Sequence, residues 1–295
     1  MNLDESNRKR LEHLISEHQC DHISQYLLEN TRQGIRYSKS EVENYEAVGH
    51  SRIGGDPDLP SNTEWPATTD GIPMTFLAQL NLNDLPGQAD SPPLPKSGML
   101  YFFVGIDEPA YNIEHRVIHV QANELSNAKR RMAPGTTALE EQFNGYRIEA
   151  RTSLEPPNYA YADYDLIESD TFDYEDYEDL TFEISEHQNE DIAIMLGYPT
   201  DQHGDCEHEA ALMILTGQNY DYHPEQALRQ ITDHFAGNRD KAEQEIRDTV
   251  MLLEIDSDDD VGFCWWDAGM LHFFIRKEDL LAGRFDRTYC SLYSS

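Results

Sequence analysis

Positive charge is scarce in this sequence. Only 22 Lys and Arg stand against 56 Asp and Glu, for a formal net charge of −34, and just six of the basic residues are lysine. Between Thr152 and Leu228 there is no Lys or Arg at all, while 20 of the 56 acids fall in that stretch. Such a surface repels phosphate backbones and anionic headgroups, so direct binding to nucleic acid or to a membrane is not expected. Two uses of the acidity remain: attraction of a basic partner, or plain solvation in a high-salt cytosol, the commoner role of charge runs.

Other absences narrow the reading further. Cys20, Cys206, Cys264 and Cys290 show no CxxC spacing, which reads as free thiols in a reducing compartment. No apolar run approaches the roughly 20 residues of a membrane span, and the charged N-terminal stretch lacks an apolar leader core; a cytoplasmic, soluble protein is expected. There is no G-x-S-x-G elbow and no cysteine beside a convincing histidine. Gly54 and Gly55 are followed by Asp56 and Pro57, which add negative charge and remove a backbone donor, so a phosphate loop is unsupported. No catalytic or cofactor-binding residue emerges, and whether the chain is an enzyme stays open, leaning against.

What is present is a repeat. GMLYFF at 98–103 returns as GMLHFF at 269–274, each after an apolar run, FLAQLN at 76–81 and MLLEID at 251–256. Leu77 to Asn81 aligns with Leu252 to Asp256 at an offset of 175 (252 − 77), and the hexapeptides align at 171 (269 − 98). A strand, loop, strand unit occurring twice predicts an α+β fold, internally duplicated, with two similar mainly antiparallel sheet units and peripheral helices. In the strand at 99–105, Leu100, Phe102 and Val104 fall on one face and Met99, Tyr101 and Phe103 on the other, so both faces should be covered.

The rest of the chain fits around these units. Residues 1–45 read as an N-terminal helical segment, with an amphipathic helix over 3–29. The first unit spans 46–154 and includes a Gly/Pro-rich loop at 51–73, strands at 74–82, 99–105, 115–121 and 146–154, and a short helix near 122–132. Residues 155–190 form an acidic, Tyr-rich connection, expected to be an exposed, partly ordered crossing. The second unit, 191–295, has helices at 224–237, with Pro at its start and Gly at its end, and at 238–249. All four pieces are expected to make one integrated domain.

The set GGDPDLP (54–60), Trp65–Pro66, FLAQLN, LPKSGMLYFF (94–103), LGYP (196–199), LLEIDSDDD (252–260) and WWDAGMLHFFI (265–275) resembles the YwqG-like bacterial family from about residue 48 to 290. That resemblance implies an α+β fold with internal duplication, no assigned activity, and an immunity or accessory role. It also singles out Glu254, which stands where the family pattern and this chain's own first copy, at Gln79, carry an amide.

Few side chains are candidates for chemistry. Asp256, Asp258, Asp260 and Asp267 stand at positions 1, 3, 5 and 12 of a calcium-loop pattern, but Val261 replaces the turn glycine, and an acidic turn between strands is the simpler expectation. His203, Asp205, Cys206, His208 and Glu209 offer imidazole and thiolate for zinc without a standard spacing, so a solvated polar loop is favoured. Trp65 is expected to pin its loop, with ligand contact as the alternative. His272 replaces Tyr101 in the repeat. Two functions stand beside each other: a non-catalytic module whose acidic face docks a basic protein, and a metal-dependent enzyme or calcium-binding protein built on the Asp-rich turn.

Overall fold

Short, nearly continuous apolar runs account for many of the strands of this chain, as expected where both faces of a sheet are covered. A computed structural model describes residue 3 and residues 5–86 and 94–294. In chain order the elements are α1 (Glu5–Glu17), α2 (Ser24–Asn30), β1 (Arg32–Val42), β2 (Arg52–Ile53), β3 (Asp58–Pro60), β4 (Thr75–Asn81), β5 (Met99–Val104), β6 (His115–Val120), β7 (Ala128–Arg130) and β8 (Tyr146–Glu155). There follow α3 (Tyr164–Ile167), α4 (Tyr174–Ser185), β9 (Asp191–Met195), α5 (Cys206–Thr216), α6 (Pro224–His234), α7 (Arg239–Arg247), β10 (Thr249–Asp256), β11 (Met270–Arg276), α8 (Lys277–Leu281) and β12 (Thr288–Tyr293).

Helix and sheet are mixed, as expected, but the strands of the two repeat units share one sheet instead of making two. Its order is β12-β11-β10-β9-β1-β8-β2-β4-β5-β6, and its pairings are antiparallel throughout. The reason is β1, whose 11 residues pair with β8 on one side and β9 on the other. The two edges are brought together by the chain before β6: Ile113 N–H donates to Cys290 O at 3.0 Å, and Leu292 N–H donates to Ala110 O at 2.6 Å. The sheet is therefore nearly closed into a barrel, which shields the backbone groups that an open edge would expose.

Closure gives each strand an inner and an outer face. Leu100, Phe102 and Val104 of β5 and Leu271, Phe273 and Ile275 of β11 fill the interior, together with Ile35, Tyr37, Met195 and Leu253. Phe102 and Phe273, which hold the same place in the two hexapeptides, meet edge to face with ring centroids 5.1 Å apart. On the outer face, Met99, Tyr101 and Phe103 pack with Leu59, Phe76 and Trp65 beneath the small β3–β7 sheet, while Phe274 packs with α5 residues Cys206, Ala210 and Met213. All six residues of β5 are buried, in agreement with the two apolar faces of its sequence.

Both hairpins carry a bulge at corresponding places. The register shifts between Phe76 and Ala78 in β4 and between Met251 and Leu253 in β10, so one residue, Leu77 or Leu252, is inserted. The N-terminal region and the Tyr-rich connection, far apart in sequence, form one hydrophobic cluster. Leu11, Leu14, Ile15, Ile23 and Leu27 meet Ile167, Tyr177, Leu180 and Ile184. The single helix expected over 3–29 is broken after Glu17, where Gln19 adopts φ 55° and a 3-10 turn intervenes at Asp21–Ile23. The segment 155–190 is more ordered than its acidity suggested: Asp173 caps α4 by accepting from the amides of Glu175 and Asp176, and the buried Tyr177 hydroxyl donates to Pro157 O. The helix expected near 122–132 is a 3-10 turn, Ala122–Asn127, leading into β7. The Pro-rich connection after Leu82 lies partly outside the described residues.

Truncating either inner phenylalanine opens a cavity in a filled interior, so Phe102→Ala and Phe273→Ala are each expected to cost about 3–5 kcal/mol in urea unfolding. A double-mutant cycle should give a coupling of roughly 0.5–1.5 kcal/mol for the edge-to-face pair. Strict additivity would show that the rings do not meet.

Candidate functional site

Antiparallel register lines up Ile194 of β9, Glu254 of β10, His272 of β11 and Ser291 of β12 in one row across the sheet. Glu254 and His272 are buried, at 5% and 1% exposure. His272 Nε2 lies 2.8 Å from Glu254 Oε2, with the ring N–H donating to the carboxylate. The same oxygen accepts the amide of Thr200 at 2.7 Å, and Oε1 accepts the Thr200 hydroxyl at 3.1 Å. The pair thus holds down the loop that carries Gly197, Pro199 and Thr200. Both groups are sealed from solvent, so the arrangement suits a buried hydrogen-bonded anchor better than a group that meets a substrate.

Nearby acids are arranged around this anchor. Glu209, on α5, accepts the Tyr289 hydroxyl at 2.5 Å. Burial pushes the Glu209 carboxyl up from its ordinary value, with Asp205 and Asp201 adding to the effect and the Tyr289 hydroxyl and His272 opposing it. Burial and the neighbouring Glu254 carboxylate hold Asp256 well above the usual carboxylate range.

The first half of the sheet has a related cluster built on different chemistry. Register aligns Arg147, Arg52, Gln79, Tyr101 and Ile118. Asp58 N–H donates to Gln79 Oε1 at 2.7 Å, Gln79 Nε2 donates to Asp58 Oδ2 at 2.9 Å, and the Tyr101 hydroxyl donates to Asp58 O at 2.5 Å. Fully buried Arg52 reaches Glu43 at 2.9 Å and Asp58 at 3.2 Å. Gln79 and Glu254 therefore both receive a backbone amide from a neighbouring segment, that of Asp58 at the start of β3 in one case and Thr200 in the other. Where the first hairpin pairs Gln79 with Tyr101, the second pairs Glu254 with His272, and there the carboxylate and the ring bond each other directly.

The candidates from the sequence fall in distinct places. Lys39 Nζ sits 2.6 Å from Asp258 Oδ2 and 2.7 Å from Asp260 Oδ2. Asp258 also caps its own turn by accepting the Val261 amide. Asp267 is exposed, and its amide donates to Ser294. His203 is exposed, while Cys206 is buried against β10 and β11. Among the described residues, no group of three or more His, Cys, Asp or Glu is placed to hold a metal ion. Trp65 is half-buried; its indole N–H donates to Met74 O at 2.9 Å and its ring stands edge-on to Phe103, so it does pin its loop, and it also lines a groove of about 650 Å³ with Tyr45, Asp56, Arg130 and Phe143. Lys39, Arg52, Tyr45 and Arg130 were not foreseen from the sequence; the scarcity of cations was the signal that each one present would be committed to a partner.

Residues 51–293 match a family described as Domain of unknown function (DUF1963). The chain belongs to this family. The DUF1963 match begins at β2 and runs through β12, leaving α1, α2 and β1 on its N-terminal side. A search of curated proteins finds none that matches the chain.

Removing the two partners of the buried pair one at a time should cost more in total than removing both at once. Glu254→Gln and His272→Phe are each expected to destabilise by roughly 2–4 kcal/mol, with the double variant less stable than wild type by less than the sum; additive losses in chemical denaturation would count against the pairing. In the turn, the Lys39 ammonium already occupies the space between two carboxylates. Millimolar calcium should leave the wild-type melting midpoint unchanged and raise that of Lys39→Met; a calcium-dependent rise in the wild type would show that the turn takes the ion despite Lys39.

Proposed function

We propose that this DUF1963 protein is a non-catalytic protein-binding module, of an immunity or accessory type, whose acidic surface docks a basic partner in the cytoplasm. The observation that carries the reading is how its cations are used. Among the described residues, every Lys and Arg except Lys96, Arg116, Lys129, Arg131 and Arg229 is engaged in an ion pair within the chain. The acids of α4 are not matched in the same way: Glu178 and Asp179 have no cation partner among the described residues. On the same helix Tyr174 and Phe182, each four residues from Glu178, are exposed, as are Leu166 of α3 and Tyr159 in the turn before it. Carboxylates for steering beside exposed aromatic side chains for contact area are what a basic protein surface would recognise. The immunity or accessory form rests on the YwqG-like resemblance of the sequence.

The same reading includes an internal duplication. Matching bulges at Leu77 and Leu252 support it, as do the equivalent backbone-amide bonds to Gln79 and Glu254 and the left-handed backbone at both Gly54 (φ 65°) and Leu196 (φ 63°), each four residues before the donating amide. Divergence between the two copies then leaves different outer covers, β3–β7 on one and α5 on the other, free to serve recognition.

The test is a binding titration against a panel of basic proteins. Affinity is expected to fall at least about tenfold between 50 and 500 mM salt, and to fall again in a Glu178→Gln, Asp179→Asn, Phe182→Ala variant. Binding that is indifferent to salt would sink the reading.

A further inference from the structure

We infer that the groove beside Trp65 receives an arginine or lysine side chain from the partner's basic segment, an assignment that rests on the protein-binding reading above. The groove has a volume of about 650 Å³ and lies between the Gly55–Asp56 turn, Thr75 and Phe76 at the start of β4, and the stretch 130–143. Aromatic rings of Tyr45, Trp65 and Phe143 line it, and so do the carboxylates of Asp56, Glu140 and Glu141.

One cation already lives there, and it shows how the wall holds such a group. The Arg130 guanidinium lies 3.7 Å from the centre of the Tyr45 ring and 2.6 Å from Asp56 Oδ2. Tyr45 also carries the buried Arg52 guanidinium at 4.7 Å, its hydroxyl accepts the Asp56 amide, and a Cβ on Gly55 would run into that hydroxyl. This half of the groove is therefore filled. Glu140 and Glu141, which line the same groove, are exposed and have no ion pair or side-chain hydrogen bond among the described residues, and Trp65 and Phe143 line it as well. The groove thus offers further rings and further carboxylates of the two kinds that hold Arg130, with no cation paired to Glu140 or Glu141 among the described residues. An anion would meet two uncompensated carboxylates, and an apolar ligand would desolvate them, so the chemistry selects a guanidinium or ammonium.

The walls are fixed before anything binds. The Trp65 indole is tied to Met74 O, Phe143 stands edge-on to Phe263 with centroids 4.6 Å apart, and the stretch 138–139 is bound to the main sheet's approach by Ala138 N–H to Pro73 O and Leu139 N–H to Thr75 Oγ1. A preformed site loses little freedom on binding, which favours a side-chain anchor at the centre of a larger interface.

The probe is a hexa-arginine peptide, titrated calorimetrically into the full chain. Glu140→Gln/Glu141→Gln and, separately, Trp65→Phe should each weaken binding by about tenfold with an unchanged melting midpoint for the carboxylate variant, whereas Glu178→Gln/Asp179→Asn should weaken it by less than about threefold. If the α4 variant abolishes binding and the groove variants leave it intact, the groove assignment falls and the acidic docking reading stands. If the wild type fails to bind the peptide in 50 mM salt, both fall. N-acetyl-arginine amide should bind far more weakly than the peptide; equal affinity would overturn the assignment to a partner segment and make the groove a receptor for a small cation.

Discussion

The pairing of β1 with β8 is the constraint on which the rest of the structure depends. It runs from Arg32 opposite Glu155 to Val42 opposite Tyr146, and it joins the strands β9 to β12 to the strands β2, β4, β5 and β6. Without it there would be two smaller sheets, each with a raw edge and half a core. With it, the inner faces of both hairpins converge, and Phe102 and Phe273 share one interior. Charge reinforces the seam: Arg36 of β1 makes a bidentate bond to Glu155, and Arg147 of β8 reaches Glu41 near the end of β1 and Glu43 just after the strand. In a chain with so few cations, several of them are spent on holding this junction.

The local pattern of the sequence carried the hairpins well, because strand alternation is a property of neighbouring residues. The two apolar faces of Met99–Val104 were visible in six letters, and the helix at 224–234 in its starting proline and its spacing of Leu228 and Ile231. What joins distant segments was not visible. Nothing in Arg32–Val42 says that it lies between two strands more than a hundred residues away, so one sheet was read as two. The acidity of 155–190 likewise concealed the buried face formed by Ile167, Tyr177, Leu180 and Ile184, because the surface that covers it comes from α1 and α2.

The candidate site shows the same division. Glu254 and His272 each stood out as a departure between the repeats, but that they depart together requires the register of β10 against β11. The Asp-rich turn resembled a cation loop until Lys39, a residue of the central strand, was placed between Asp258 and Asp260. Trp65 was flagged for a pinning role, and its indole bond to Met74 O gives it one, yet the groove it lines is assembled from a stretch more than sixty residues further on. Composition indicated that charge mattered here; only the fold says which charges are already neutralised.

The position of β1 has a consequence for how the chain comes into being. The strand is made before both of its neighbours, β8 and β9, which end at Glu155 and Met195. It must therefore wait, with both backbone edges unsatisfied, while more than a hundred further residues are made. During that interval the nascent chain exposes an eleven-residue strand whose early part is rich in buried positions. That exposure ends only when β8 and β9 take up the two edges of β1 and the barrel closes.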